Sequence, residues 1–247
     1  MPEIDELYAA EGSADQATPG ISILEKALIR IMDVAVSFAV LVLMLPIMAA
    51  IAVIIWIDSP GPVIFRQIRM GKNRRSYRFR QANVPIERRK EDFCSRPFVF
   101  YKFRTMYVDA AERFPGLYRY EYTDEEVIRL FFKIPDDPRL TPFGRYLRMT
   151  TLDELPNLIN VIKGDMTLVG PRPDIPQMIK YYKGWQKRKF LLKPGVTGLA
   201  QVNGRGLLNF QQTLKLDVEL VSNYGLGLFV KVLLKTIRVT FLRIGAF

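Results

Sequence analysis

Residues 34–57 read VAVSFAVLVLMLPIMAAIAVIIWI, a run without one charged side chain. A helix needs about 20 such residues to cross the hydrocarbon core of a bilayer, so the run commits this part of the chain to a membrane. A core helix of a soluble protein keeps a polar face; here Ser37 alone interrupts the apolar character. Pro46 sits at the middle of the run, where it removes a backbone donor and clashes with the preceding turn, so a break is expected there. Lys26 and Arg30 precede the run, and Arg66, Arg69, Lys72, Arg74 and Arg75 follow it. Lys and Arg favour the cytoplasmic side, so both ends are expected on one face of the membrane. The run is therefore read as a proline-broken, re-entrant element rather than a span.

Working outward, residues 1–22 are acidic, rich in small residues and without apolar periodicity, as expected of a flexible tail. They do not read as a signal peptide, because the apolar run begins late and no small-residue cleavage site follows a short one. After the run, Pro60, Gly61 and Pro62 mark a turn into a strand over 63–68. Residues 73–97 form a basic insertion. Phe98 to Arg104 alternates like a half-buried strand, which predicts that Lys102 and Arg104 share a face. Helices are predicted over 107–117, 124–133 and 143–149. The architecture is thus α+β and mostly helical: a re-entrant membrane helix over 23–58, and a compact domain over 59–247 with a short β-hairpin and interfacial amphipathic helices.

Composition limits the chemistry. The chain has no histidine, so proton transfer, nucleophilic attack or metal binding must use carboxylates, lysines, hydroxyls or Cys94. A lone cysteine cannot form an internal disulfide, which suits a reducing compartment. The net charge of +11 points to an anionic partner, whether nucleic acid, lipid headgroups or a phosphorylated substrate. In the C-terminal stretch 226–244, Lys231, Lys235 and Arg238 form a cationic stripe on an apolar helix suited to the headgroup layer. Residues 180–189 mix aromatics and cations in the manner of interfacial segments.

The adjacent carboxylates Asp153 and Glu154 are the leading candidates for chemistry. Thr151-Leu-Asp-Glu154 fits a capping box before the apolar positions Leu155, Leu158, Ile159 and Ile162. A helix start of that kind would depress the pKa of Asp153. Three Gly-containing turns follow: residues 164–173, ending in Pro171-Arg172-Pro173; residues 194–198; and residues 202–206, with Arg205. Arginine forks match phosphate oxygens, and glycine lets backbone donors approach an anion. Carboxylates beside arginines suggest a metal-assisted diphosphate site in which the carboxylates hold Mg²⁺.

An ordered set of motifs, SPGPVIFRQIRMG, FYKFRTM, DPRLTPFGRYLR, LDELPNLINVIKGDMTLVGPRP, KPGVTGLAQVNGRG and LDVELVSN, resembles the bacterial sugar transferase family, the monotopic polyprenol-phosphate phosphoglycosyl transferases. The resemblance runs from about Leu24 to the C-terminus, with the tail and the basic insertion outside it. It implies transfer of a sugar 1-phosphate from a UDP-sugar to polyprenol (undecaprenyl) phosphate, opening exopolysaccharide, capsule, O-antigen or glycan assembly at the cytoplasmic face of the bacterial inner membrane. By motif, Asp153 takes the role of nucleophile beside Mg²⁺. Glu154 orients the metal or the lipid phosphate, or assists proton removal. Lys102, Arg148, Arg172 and Arg205 become the phosphate-contacting cations. Membrane lipids account for the basic surface without nucleic acid, and the resemblance allows a homodimer. One departure is Leu45-Pro46, where many relatives carry Ser-Pro; leucine cannot satisfy a carbonyl freed at the kink. A membrane-anchored nucleic-acid-binding or regulatory protein, and a metal-dependent membrane phosphatase, are the competing classes.

Overall fold

A computed structural model describes residues 20–73, 95–131, 134–204 and 207–241. Most of the expected tail and of the basic insertion, with Cys94 and Arg205, lies outside these residues. The longest element is helix α1, Ile23–Asp58. It opens on a capping box in which the Ser22 hydroxyl accepts from the Glu25 amide at 3.1 Å and the Glu25 carboxylate accepts from the Ser22 amide at 3.0 Å. Contrary to the expected break, the helix continues through Pro46. A proline costs one backbone bond and strains one turn, and the long apolar segments on either side of it carry the helix past that point.

Both ends of α1 are fastened to the rest of the molecule. Near its start, Arg30 donates to the carbonyls of Val161 and Ile162, each at 2.7 Å, and Ile29, Asp33 and Ser37 are buried. Near its end, Ile51 and Ile55 pack with Phe103 and Leu147. The guanidinium of Arg104 then closes the C-terminus, donating to the Pro60 carbonyl and the Ser59 hydroxyl at 2.9 Å each and to the carbonyl of Ser59. A cation there complements the helix dipole and its unpaired carbonyls. Between the fastened ends, Phe38, Val42, Leu43 and Leu45 are exposed.

Strands β1, Ile64–Met70, and β2, Pro97–Phe103, form the antiparallel hairpin, with Phe65 opposite Lys102. Alternation places Phe98, Phe100 and Lys102 on one face. The strand ends at Phe103, so the predicted partnership of Lys102 with Arg104 is not formed. Arg104 turns away to the end of α1, where burial holds its pKa below the usual arginine value.

The predicted helix over 107–117 resolves into α2, Ala110–Arg113, and a 3-10 turn, Pro115–Tyr118. Helix α3, Asp124–Arg129, is shorter than predicted, and α4 covers Pro142–Thr150. Helix α5, Asn157–Lys163, ends at Gly164, whose φ of 85° is the left-handed stop that glycine adopts without cost. A two-stranded parallel ladder follows, β3, Thr167–Val169, against β4, Gly195–Thr197. Gly170 and Gly195 are in backbone contact, since a Cβ on Gly195 would lie 2.1 Å from the Gly170 nitrogen. Helices α6, Leu199–Gly204, α7, Phe210–Ser222, and α8, Leu226–Phe241, complete the domain.

The main core joins Ile29 of α1 to Val161, Met166, Leu168, Val169, Leu220, Phe229 and Val232. Helix α8 keeps Phe229 and Val232 inward and exposes Lys231, Leu234, Lys235, Ile237 and Arg238, as its predicted cationic stripe requires. Residues 180–189 run through and between two 3-10 stretches, Pro176–Tyr181 and Gly184–Leu191; Lys180, Lys183 and Lys187 are exposed, while Tyr182 and Lys189 are buried.

Candidate active site

The acidic pair does not cap a helix. Thr151 stands at φ 58° in the left-handed region, and its hydroxyl donates to the Thr150 carbonyl at 2.6 Å. An N-cap needs extended backbone to present its oxygen to the next turn, so the capping box cannot close. Leu152, Asp153 and Glu154 instead form a 3-10 turn, and α5 begins three residues after the pair. Left-handed backbone is costly for a β-branched residue; here it aims the pair into a cavity.

That cavity is about 470 Å³ in volume, and Arg69, Lys102, Arg148, Asp153, Glu154 and Arg172 are among the residues that line it. Asp153 is 5% exposed. Burial, with the neighbouring Glu154 charge, pushes its carboxyl up to about 6 against the opposing pull of Lys102, Arg148 and Arg172. The expected depression of Asp153 is therefore reversed, because desolvation outweighs the cations and no helix N-terminus faces the group. Lys102 is brought down to about 8, chiefly by burial, with Asp153 opposing.

Each cation has its own support. Lys102 comes from β2 and stands over the Phe65 ring at 5.3 Å. Arg148, on the last turn of α4, reaches Asp137 at 3.5 Å, and Asp137 is itself clamped by Arg139 at 2.8 Å. Burial lowers the pKa of Arg148. Arg172 reaches Glu154 at 3.4 Å. Its turn is pinned by the Gly195 amide donating to the Pro171 carbonyl at 2.8 Å and the Gly170 amide donating to the Thr197 carbonyl at 2.9 Å. The structure thus brings together Lys102, Arg148, Asp153, Glu154 and Arg172. Pro46 lies in α1, away from this lining.

Arg69 was not assigned to the site from sequence. It donates to the Pro173 carbonyl at 3.1 Å, lies over the Phe100 ring at 5.4 Å, and burial lowers it to about 10. The alternation of IFRQIRM could have flagged it, since Arg69 stands opposite Phe98 across the hairpin. Asp137 was missed too; PDDPRL reads as a turn until Arg139 and Arg148 converge on it.

Residues 24–243 match the family model described as bacterial sugar transferase. The chain belongs to this family. Sugar transferases similar to it include the galactosyl transferase CpsE of Streptococcus agalactiae, 38% identical over 187 residues, which are 75% of this chain and 36% of that protein. The undecaprenyl-phosphate galactose phosphotransferase of Salmonella typhimurium is 32% identical over 88% of this chain and 41% of its own. The UDP-glucose:undecaprenyl-phosphate glucose-1-phosphate transferase of Escherichia coli is 30% identical over 88% of this chain and 41% of its own. The chain therefore spans well under half the length of these three sugar transferases.

Proposed function

We propose that the protein transfers a sugar 1-phosphate from a UDP-sugar to a polyprenol phosphate such as undecaprenyl phosphate. The observation that carries this reading is a buried carboxylate, Asp153, set among Arg69, Lys102, Arg148 and Arg172 in one cavity. Such a group is a poor surface salt bridge and a good nucleophile toward phosphorus. Burial makes its oxygens more basic than those of an ordinary carboxylate, and at neutral pH it is still mostly ionised. The cations neutralise the diphosphate that the carboxylate would otherwise repel.

In the proposed course, an Asp153 oxygen attacks the sugar-linked phosphorus. The bridging P–O bond breaks, and UMP departs with the bonding pair. An oxygen of the lipid phosphate then attacks the same phosphorus, breaking the acyl-phosphate bond and returning Asp153 as a carboxylate. Glu154, tied to Arg172, holds that arginine toward the phosphates.

The donor set fits Mg²⁺. Asp153 and Glu154 are the carboxylates lining the cavity, and no cluster of three or more metal-ligating side chains occurs among the described residues. A magnesium ion typically takes one or two carboxylates and fills its shell with water and substrate phosphate. Bound there, it would supply charge neutralisation at the diphosphate.

The membrane helix supports a monotopic placement at the cytoplasmic face of the inner membrane. Ser37 and Ile51 are both buried, and the segment between them, residues 38–50, is about 20 Å of helix. That is short of the roughly 30 Å hydrocarbon core, so a helix fastened to one domain near both ends dips into one leaflet rather than crossing. A phosphatase would use the same cavity; the membrane-anchored nucleic-acid reading leaves the buried carboxylate without a task.

The deciding experiment uses a UDP-sugar labelled in the sugar-linked phosphate. Wild-type protein should retain label covalently, release UMP and pass label to polyprenol phosphate, whereas Asp153→Asn should do none of these. Full transfer by the variant would overturn the assignment, and net release of phosphate to water would favour the phosphatase.

A further inference from the structure

Gln201, on the short helix α6, lines the cavity that holds Asp153. Both atoms of its amide, Oε1 and Nε2, are shielded from solvent and have no hydrogen-bond partner among the described residues. A primary amide offers two N–H donors and an accepting oxygen, and folded proteins pair such groups when they bury them. Other neutral groups of the lining are spent inside the protein: the Thr197 and Thr236 hydroxyls lie 2.8 Å apart, and the Thr151 hydroxyl donates to the Thr150 carbonyl. Of the described side chains with a buried, unpaired polar atom, only Gln201 and Arg69 line this cavity. Arg69 already has the Pro173 carbonyl as a partner.

The backbone around Gln201 places its amide near the phosphate-binding candidates. A Cβ on Gly198 would lie 2.9 Å from Gln201 Oε1 and 2.3 Å from the Gly170 carbonyl oxygen, so the amide and the start of the Pro171-Arg172 turn flank the same gap. Arg172 in turn reaches Glu154, the neighbour of Asp153, at 3.4 Å. Gln201 therefore stands beside the turn that carries Arg172 while bringing no charge of its own. The last torsion of a glutamine is soft, so its amide turns toward a ligand at little cost.

We infer that Gln201 recognises the uncharged part of the nucleotide sugar, hydrogen-bonding a group that both donates and accepts: a sugar hydroxyl or the imide edge of uracil. The inference rests on the proposed UDP-sugar donor. Ionised phosphate oxygens only accept and would leave Oε1 unpaired, and Lys102, Arg148 and Arg172 serve them better because a charged donor makes the stronger bond. Hydrocarbon would leave both atoms unpaired. Of the groups that the proposed reaction brings to the cavity, the sugar and the base satisfy both ends of the amide. A site built this way selects its donor, since a ligand lacking the matching group leaves the buried amide without a partner.

The test uses Gln201→Met, which keeps the volume and removes both polar atoms. Without ligand, this variant of the otherwise wild-type protein should melt at or above the wild-type temperature, because hydrocarbon replaces an unpaired amide. Binding is then titrated on the full chain in lipid nanodiscs, in an Asp153→Asn background that stops turnover, with UDP-glucose, UDP-galactose, UDP and inorganic pyrophosphate as probes. Gln201→Met should weaken the UDP-sugars about tenfold while pyrophosphate affinity holds. Weakening confined to the UDP-sugars assigns the contact to the sugar; equal weakening of UDP assigns it to the base. Unchanged UDP-sugar affinity would overturn the role, as would a loss shared by pyrophosphate. A ligand-free melting temperature several degrees below wild type would overturn it too, by showing that the amide holds the fold. If the protein with Gln201 intact binds pyrophosphate but none of the nucleotides, the proposed donor itself fails, and this role falls with it.

Discussion

Asp33 of the membrane helix and Thr167 of the catalytic core are joined by a 2.9 Å hydrogen bond inside the protein, and the same carboxylate oxygen accepts the Leu168 amide at 2.8 Å. One turn earlier, Arg30 takes the last carbonyls of α5, the helix that follows Asp153 and Glu154. The apolar helix is thereby docked at two points within the segment that leads from the acidic pair to the Arg172 turn.

Asp33→Ala leaves the Leu168 amide and the Thr167 hydroxyl buried without that acceptor. Unmet buried donors cost about 1–3 kcal/mol each. In a chain of this size, each kcal/mol shifts the melting temperature by about 2–4 °C. Thermal unfolding in detergent should therefore show a drop of several degrees, and an unchanged melting temperature would remove Asp33 from the docking contact.

Lys189 is buried between Asp174 at 2.6 Å and Asp217 at 2.9 Å. Burial pulls its pKa down, but the two carboxylates outweigh that and hold it well above the ordinary lysine value. Burial pushes Asp217 up to about 6 even with Lys189 beside it. Removing one partner of a buried pair costs about 3–5 kcal/mol, which is the expected loss for Lys189→Met. The Asp217 carboxyl, already raised by burial, rises further without Lys189, so its protonated form is the one the fold tolerates. Stability of the variant should recover as pH falls through about 6 and worsen as it rises. Denaturant titrations at several pH values check this; a deficit independent of pH would exclude the cluster as its cause.

Thr151 carries left-handed backbone at φ 58° beside the acidic pair. Glycine adopts that geometry freely, so Thr151→Gly should raise stability, or leave it level, within about 1 kcal/mol. The freed turn aims Asp153 less firmly, and kcat should fall while substrate KM values stay close to wild type. A variant with wild-type kcat would show that the strain has no part in positioning.

Arg69 lines the same cavity as Asp153 and is anchored to the Pro173 carbonyl. Arg69→Ala should lower kcat/KM about 10²-fold, the scale for losing one preorganised donor to developing charge. Arg69→Lys should recover part of it, because the charge returns without the planar fork. Steady-state kinetics on the two variants provide the check, and equal rates for Arg69→Ala and wild type would exclude Arg69 from substrate contact.

The fold was legible where its cause is local. An uncharged run of 24 residues, 34–57, announces a membrane helix by composition, the alternation through Phe98, Phe100 and Lys102 announces a strand face, and Gly164 after Lys163 announces a helix end. Asp153 and Glu154 stood out because a chain without histidine leaves few groups for the chemistry. The pattern TxxE misled, since it records which hydrogen bonds are available and not the backbone angle at Thr151 that refuses them. Lys189 looked interfacial because its neighbours are aromatic and basic, and nothing near it in sequence reveals Asp217.

The amino-acid sequence by itself determined the long apolar helix, the hairpin, the acidic pair and the candidate cations Lys102, Arg148 and Arg172, because composition, period and ordered motifs are properties of neighbouring residues. Only the tertiary structure decided which cations reach Asp153, that burial raises its pKa, that Arg104 closes α1 instead of joining Lys102, and that both ends of α1 are docked on one domain. Those outcomes depend on desolvation and on contacts such as Asp33 with Thr167, 134 residues apart in the chain, and no window of local sequence contains both partners.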